Sequence, residues 1–312
     1  MTYMKTTCLL VCSLILLSQI SAFSQAAPGT TPGYVEGPIR EVTYNPDGTA
    51  TMLVQNVTVH VPADLPIDSP TTVLTVRQLC IRNRLPGRVE PGFLGGTALI
   101  NGIVDVQTRR FTATDVTVEP AENVIIGIIT STSPLHIQNT EITQSTDPRI
   151  ITQVVNAFGF PARLDGITVG QPASAEGYYV GGKLYAYVIE LPAEAPLANN
   201  VSQLNIQRAD SRERVPNNNR GDEVDARGFY YSQDGLTPLI RIFRDDNGVL
   251  TSLGFATLVP DGVNPKFGVW TFRADTPPSP HPVLGVAPSK IRAVLTGVSG
   301  VTSTAEMATT LR

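Results

Sequence analysis

The chain has 312 residues with 23 Lys and Arg against 27 Asp and Glu, a net charge of −4; only 16% of residues are charged, while Pro (25) and Gly (26) are frequent. Such an acidic balance excludes sequence-independent nucleic-acid binding, which draws on a surplus of basic side chains. Low charge with abundant Pro, Gly, Thr and Val favours short strands and turns over helices.

Residues 1–26 hold one Lys (Lys5), an apolar run from Cys8 to Leu17 and a small-x-small exit at Ser24-Gln25-Ala26. This is the pattern of a secretory signal peptide, cleaved after Ala26 or after Ala22, and it is too short and wrongly flanked for a spanning helix. Cys12 is a poor lipidation site, because the hydrophobic run continues past it and Val11 precedes it. No later run reaches membrane length, so the mature chain is expected to be soluble and exported, periplasmic or extracellular. Removal of one Lys and no acid leaves 22 basic against 27 acidic residues, net −5. Cys8 and Cys12 leave with the signal, so Cys80 remains alone and no intramolecular disulfide can form.

After a short N-terminal linker (27–34), the chain carries two similar units. Val35-x-Gly37-x-Ile39 opens the first and Ile125-x-Gly127-x-Ile129 the second; each leads to a Gln-Asn pair, Gln55-Asn56 and Gln138-Asn139. Both resume with Ala-x-x-x-Gly (Ala98 to Gly102, Ala173 to Gly177) and close on Phe111 and Ala113 or on Leu184 and Ala186. Length differences fall between these anchors, where turns absorb them. In the first unit (35–120), strands are expected at 35–43, 51–55, 57–61, 97–105 and 111–119, with a turn at Asn45-Pro46-Asp47-Gly48. Ser69-Pro70 reads as an N-cap and first helical residue, predicting a helix over 71–85 stopped by Pro86-Gly87. In the second unit (121–192), Asp147-Pro148, then Ile150, Ile151, Val154, Val155 and Phe158 at helical spacing, then Gly159, predict a second helix. Val180-Gly181-Gly182-Lys183 predicts a hairpin between the last two strands of that unit.

Three strands, a helix and two strands is the element order of an OB-type five-stranded barrel. The Val35-x-Gly37-x-Ile39 frame, the strands around Asn56 and the Gly170-x-x-Ala173-x-x-x-Gly177 stretch followed by Leu184-Tyr185-Ala186 resemble small OB-like domains of exported bacterial proteins. That resemblance implies no agreed function.

Pro192 to Asn200 reads as a linker (193–200) by composition. Beyond it, Leu204, Ile206 and Arg208 alternate, Asp246-Asn247-Gly248 marks a turn, and Trp270 and Phe272 share one strand face. About seven short strands at this spacing predict a β-sandwich over 201–312. Ala226-Arg227-Gly228, Ser252 to Ala256 and Gly268-x-Trp270-x-Phe272 resemble immunoglobulin-like modules of bacterial surface and secreted proteins, without the antibody-type Cys pair. The expected fold is therefore mainly β: tandem OB-like five-stranded barrels, each with one helix, followed by an immunoglobulin-like β-sandwich.

Candidate chemistry is sparse. His60, His136 and His281 stand apart with no metal-ligand spacing, no nucleophile elbow surrounds Ser299, and no phosphate loop occurs, so no catalytic, cofactor or metal residues are assigned. Arg77, Arg82, Arg84 and Arg88, joined in sequence by Arg109 and Arg110, form the one basic concentration: a solvated face, or a ligand-binding cluster for an acidic glycan or protein partner. Cys80 among these arginines is either a small buried residue or a reactive thiol whose thiolate the arginines favour and which could link two copies. Arg220-Gly221-Asp222 matches an integrin-type tripeptide, and Asp222, Glu223 and Asp225 could offer oxygens to calcium without EF-hand spacing. Asn56-Val57-Thr58 and Asn200-Val201-Ser202 fit a glycosylation sequon.

Two functional classes lead, ahead of a third, enzymatic one that requires convergent titratable groups the sequence does not display. The first is an exported, non-enzymatic scaffold or adhesion-type protein of the cell envelope or extracellular space, with an unknown protein or glycan partner, which predicts self-association or attachment with no defined pocket. The second is a carbohydrate- or small-ligand-binding protein using a barrel face, with the arginines or Tyr178, Tyr179, Tyr185 and Tyr187 as contacts.

Overall fold

The computed structural model describes residues 29–212, 223–275, 287–297, 300 and 302–311. The signal segment with Cys8 and Cys12, the Arg220-Gly221-Asp222 tripeptide, His281 and Ser299 lie outside the described residues. The fold is mainly β, 59% strand with almost no helix: two closed five-stranded barrels followed by further antiparallel sheets.

The first barrel is built from β1 (Thr30–Tyr44), β2 (Ala50–Val54), β3 (Val57–Val61), then β4 (Ile67–Asp68), β5 (Val73–Leu74), the four-residue α1 (Val76–Leu79), β6 (Thr97–Asp105) and β7 (Phe111–Glu119). Its strands run β3-β2-β1-β6-β7 and close by a parallel β3–β7 pairing, Val59 opposite Phe111. Period-2 alternation puts Met52, Val54, Val59, Val61, Ile100, Val116 and Val118 inside, all fully buried.

The second barrel repeats the order with β8 (Asn123–Thr132), β9 (Leu135–Ile137), β10 (Thr140–Gln144), β11 (Gln153–Asn156), β12 (Pro172–Val180) and β13 (Lys183–Leu191), running β10-β9-β8-β12-β13 with a β10–β13 closure.

The repeat holds at atomic detail. Gln55 and Gln138 both take φ 54. Their N–H groups donate to Pro38 O at 3.0 Å and Ile128 O at 2.8 Å. Each amide side chain lies against the opening glycine of its unit: a Cβ on Gly37 would stand 2.5 Å from Gln55, and one on Gly127 2.2 Å from Gln138. The bulges also coincide, between Ile39 and Glu41 against β2 and between Ile129 and Ser131 against β9. Gly127→Ala is accordingly expected to cost about 1–3 kcal/mol by overpacking, and Gln138→Ala in the same chain to recover most of it, read from urea denaturation of the two variants. No recovery in the double variant would mean that Gly127 serves something other than the glutamine.

The predicted helices are corrected in both units. The first shrinks to α1, and the segment assigned to the second contains β11 instead. In each unit a short strand lies parallel to the last barrel strand at the same place, Ile67 opposite Val116 and Val154 opposite Ile189. Val, Ile and Thr are frequent in both segments, and β-branched side chains lose χ1 freedom in a helix while fitting a pleated sheet. The helix-like spacing of Ile150 to Phe158 arises because Asn156 turns the chain, its Oδ1 accepting from the N–H groups of Phe158 and Phe160 at 3.1 and 3.0 Å.

The segment 27–34 read as a linker is also corrected, because β1 begins at Thr30 and pairs with β6 from Thr30 opposite Asp105. The prolines hid this. Ile39 exchanges bonds with Gly95 and Gly96 on the β6 side, so odd-numbered residues of β1 face β6 and even-numbered ones face away. Pro32 and Pro38 are even-numbered, and their missing N–H groups cost the ladder nothing.

The C-terminal region comprises β14 (Gln203–Leu204), β15 (Arg208–Arg212), β16 (Glu223–Tyr231), β17 (Leu239–Asp246), β18 (Val249–Phe255), β19 (Thr257–Pro260), β20 (Phe267–Asp275), β21 (Lys290–Thr296), β22 (Thr302–Ala308) and β23 (Thr310–Leu311). They form one sheet ordered β19-β20-β16-β15-β23, with β14 on β16, and a second ordered β18-β17-β21-β22. Ile206, Val224, Ala226, Tyr230, Ile240, Ile242, Trp270, Phe272, Ile291 and Leu295 fill one core. This fits the predicted sandwich.

By contacts the chain divides into two compact units, one of residues 1–123, 144–152 and 177–187 and one of 124–143, 153–176 and 188–312. Within the second, the 193–200 segment is no free linker. Arg163 N donates to Pro196 O and Ala198 N to Pro161 O, both at 2.8 Å, and Ala195 is buried. Phe158 stacks on Phe267 at 4.8 Å in a cluster with Phe160, Phe229 and Tyr231. Asn205 donates through Nδ2 to Phe158 O (2.7 Å), accepts at Oδ1 from Phe229 N (2.8 Å), and its carbonyl accepts from Trp270 Nε1 (3.0 Å).

Candidate functional site

The arginine cluster sits on the segment between β5 and β6. Thr75 caps α1 reciprocally with Gln78: Gln78 N donates to Thr75 Oγ1 at 3.2 Å and Thr75 N to Gln78 Oε1 at 2.8 Å. Val76 and Leu79 are buried, so α1 turns Arg77 outward, and Arg82 and Arg84 are exposed on the loop that follows. Arg88 does not join them. Its side chain is only 9% exposed, beside Glu90 at 3.7 Å, and Nη2 donates to Leu94 O at 2.6 Å. Arg110, in the β6–β7 turn, acts instead on His60, which burial and this guanidinium together hold below the ordinary imidazole value.

What shapes the loop is a residue the sequence reading passed over. Arg149 is 3% exposed and forks onto Asp147, Nε to Oδ1 at 2.9 Å and Nη2 to Oδ2 at 2.7 Å. Its two terminal nitrogens also donate to Ile81 O (3.2 Å) and Asn83 O (3.0 Å). The guanidinium lies 6.0 Å from the Phe93 ring centroid. Its own carbonyl accepts from Ser69 Oγ at 2.9 Å and Thr72 Oγ1 at 3.0 Å. This fork holds the Asp147 carboxyl below its ordinary value. The one available signal was a lone Arg amid Ile, Pro and Val, two residues after Asp147.

Cys80 lies half-buried at the C-cap of α1 and lines a concavity of about 10 Å3 with Val42, Leu79, Ile81, Phe93 and Leu94, and with Arg82. Burial pushes its thiol up to about 11, the opposite of the thiolate-favouring effect expected from neighbouring arginines. Arg77, Arg82 and Arg84 are exposed to water, which screens them, and desolvation of the half-buried thiol wins. At pH 7.5, alkylation by iodoacetamide is expected to be at least about tenfold slower than for a free cysteine and to accelerate on unfolding in urea; equal rates folded and unfolded would refute this.

The tyrosines proposed as ligand contacts are mostly committed elsewhere. Tyr178 and Tyr187 are buried, donating to Pro86 O and Ala121 O at 2.8 Å each, and burial raises both phenols. Tyr185 stacks on Tyr178 at 5.3 Å and covers Gly87, where a Cβ would stand 2.5 Å from its ring. Tyr179 alone among them is exposed, at 57%.

On the sandwich, Glu223 pairs with Arg273 at 3.0 Å, and Asp225 lines a cleft of about 70 Å3 with Arg208, Asp210, Ser211 and Arg212. Among the described residues, no three His, Cys, Asp or Glu side chains converge as a metal site. Asp245 accepts from Gly248 N at 2.6 Å, as a hairpin turn requires. Asp245 also meets Lys290 (3.0 Å) and Arg292 (3.3 Å), and Lys290 reaches Glu306 (3.0 Å), a charge network across β17, β21 and β22 that no local pattern announces.

No family model matches the chain, and no curated protein matches it in sequence. Among solved structures, the chain is similar to the sulfane dehydrogenase SoxCD from Paracoccus pantotrophus at 9% identity and a TM-score of 0.22, covering 76% of this chain and 68% of that one. It is also similar to a structure from a 1.5-MDa bacterial ice-binding adhesin, described for host cell surface retention, at 12% identity and a TM-score of 0.21, covering 90% of this chain and 98% of that one. No helix among the described residues is long and apolar enough to cross a membrane.

Proposed function

We propose that the mature chain is an exported, non-enzymatic scaffold or adhesion-type module that works through its surface. The observation that carries this reading is how its polar and aromatic side chains are used. Tyr178, Tyr187, Asn205 and Trp270 spend their side-chain polar atoms on backbone groups of other segments, and Arg149 divides its own between the Asp147 carboxylate and two backbone carbonyls. The two concavities described above, about 70 and about 10 Å3, are small beside the roughly 300–1,000 Å3 of small-molecule sites. The OB-like and immunoglobulin-like character read from the sequence supports the same role, since such modules commonly space and bind.

Carbohydrate binding is the second reading, favoured by the outward Arg77, Arg82 and Arg84 on a loop fixed from behind by Arg149. A glycan array that includes acidic polysaccharides separates the two. Binding lost when Arg77, Arg82 and Arg84 are changed to Ser would establish the second reading. A clean negative, together with retention of the chain on the surface of the cells that secrete it, would support the first. Export is tested separately by expressing the full chain in a bacterial host, where the first reading expects a mature N-terminus at Ala27 or Phe23.

A further inference from the structure

Two Asn-Gly pairs occur in the chain, Asn101-Gly102 and Asn247-Gly248. In such a pair the glycine nitrogen, unshielded by a side chain, can attack the asparagine's own Cγ, which makes asparagine a thermolabile residue. The two pairs stand in opposite surroundings. Asn101 lies within β6, its Nδ2 donates to Asp115 Oδ2 at 3.2 Å, and a Cβ on Gly102 would stand 2.3 Å from Thr112 O. Neither the amide nor the nitrogen behind it has room to move. Asn247 and Gly248 form the exposed two-residue turn between β17 and β18. Their φ angles are 54° and 92°, the left-handed pair of a type I′ hairpin, and nothing lies within 4 Å of the Gly248 Cβ position.

Crowding is therefore not what protects Asn247. Attack needs Gly248 N to lose its proton, and that proton is donated to Asp245 Oδ1 at 2.6 Å. A carboxylate on an amide N–H makes removal of the proton harder, because the negative charge left on nitrogen would face a negative oxygen. The carboxylate is itself anchored. Its side chain is fully buried, and Lys290 Nζ at 3.0 Å and Arg292 Nη2 at 3.3 Å hold Oδ2, leaving Oδ1 for the turn.

We propose that Asn247 is a self-modification site, a latent deamidation site that the Asp245 carboxylate holds in check. When the hydrogen bond opens, Gly248 N gives its proton to solvent and bonds to Asn247 Cγ, closing a cyclic imide; the Cγ–Nδ2 bond breaks and ammonia leaves. Water then opens the ring, at Cγ to leave an aspartyl residue or at the main-chain carbonyl to leave an isoaspartyl one, and is the sole co-reactant. The isoaspartyl product adds a methylene to the main chain, which a two-residue turn cannot absorb without losing the pairing of Asp246 with Val249. Among the described residues β18 pairs with β17 alone. The modification thus releases the edge strand of its sheet, and Asp245 sets how long the chain keeps it. This inference is independent of the ligand and localisation readings above.

The test is peptide mapping by mass spectrometry of the chain without its signal segment, aged in mildly alkaline buffer both folded and unfolded in guanidinium. Asn247 should convert at least about tenfold more slowly in the folded wild type than in the unfolded chain. Asp245→Ala should speed the folded reaction at least about tenfold, as expected for loss of a charge-assisted hydrogen bond, and leave the unfolded rate unchanged. Amide hydrogen exchange separates the bond from the fold: in Asp245→Ala the Gly248 N–H should lose protection while the other amides of β17 and β18 keep theirs. If that variant fails to fold, the wild type decides alone, since its Gly248 N–H should exchange at least about tenfold more slowly than in the unfolded chain. A folded wild type that converts Asn247 as fast as the unfolded chain, a folded Asp245→Ala no faster than the wild type, protection lost throughout the hairpin, or conversion confined to Asn101 would each overturn the inference.

Discussion

Arg149→Met is expected to destabilise the first compact unit by about 3–5 kcal/mol, the cost of stripping one partner from a buried, hydrogen-bonded ion pair. Three groups lose their partner at once: the Asp147 carboxylate and the carbonyls of Ile81 and Asn83. Arg149→Lys keeps the charge but cannot serve a bidentate carboxylate and two carbonyls from one ammonium, and should cost about 2 kcal/mol. Adding Asp147→Asn to Arg149→Met should recover part of the loss, because the uncompensated carboxylate disappears. The same pair sets an acid limit. The folded carboxyl of Asp147 titrates below its ordinary value of 3.8, so its stabilisation is fully present above that value and is lost as pH falls through the lower, folded one. Urea melts followed by far-UV circular dichroism at pH 7 and pH 3 measure both effects. A loss below about 1 kcal/mol at pH 7 would show that the surrounding loop stands without the clamp.

The second large effect is expected in the sandwich. Gly228 lies where a Cβ would be 2.1 Å from Asn205 O and 2.8 Å from Trp270 Nε1. Gly228→Ala must therefore push away the carbonyl that accepts the buried indole N–H. Overpacking of about 1–3 kcal/mol combines with the desolvation cost of an unpaired indole donor, about 1–3 kcal/mol. The displacement also loads Asn205, whose side chain holds Phe158 and Phe229. Gly262→Ala is the matched control: nothing lies within 4 Å of its Cβ position, and a change within about 0.5 kcal/mol is expected. Equal effects of the two substitutions in thermal melts would sink the argument.

The parts of this fold that were legible in the sequence are those with a steric cause. Gly37 and Gly127 stand out because a side chain there would strike the glutamine that closes the next hairpin, and the repeat can be read from those pairs alone. Trp270 and Phe272 at spacing two marked a core strand, as they should on a pleated surface. Illegible were features set by partners distant in sequence. The apolar spacing of Ile150 to Phe158 fits a helix as well as a buried strand and its turn, and the β13 ladder with the Asn156 side chain decided between them. The start of β1 within the 27–34 segment was illegible because no local rule says which edge of a strand the Pro32 nitrogen will face. Arg88 was grouped with exposed arginines and Arg149 passed over for the same reason: clustering in sequence cannot tell an arginine that reaches solvent from one whose fork is consumed by carbonyls elsewhere in the fold. Cys80 followed the same rule, since the direction of its shift depends on what touches sulfur, and there burial outweighs charges that water screens.

Trp270 is the only tryptophan in the chain, fully buried with its indole N–H held by Asn205. The molecule thus carries its own optical label, confined to the second compact unit. Its emission should be blue-shifted in the folded state and should move to the red when that unit opens, while the first unit contributes only tyrosine light. Collected on one sample, fluorescence and far-UV circular dichroism become two separate clocks. If they trace the same denaturation curve, the two units melt together; if they part, the interval between them measures how far each stands without the other.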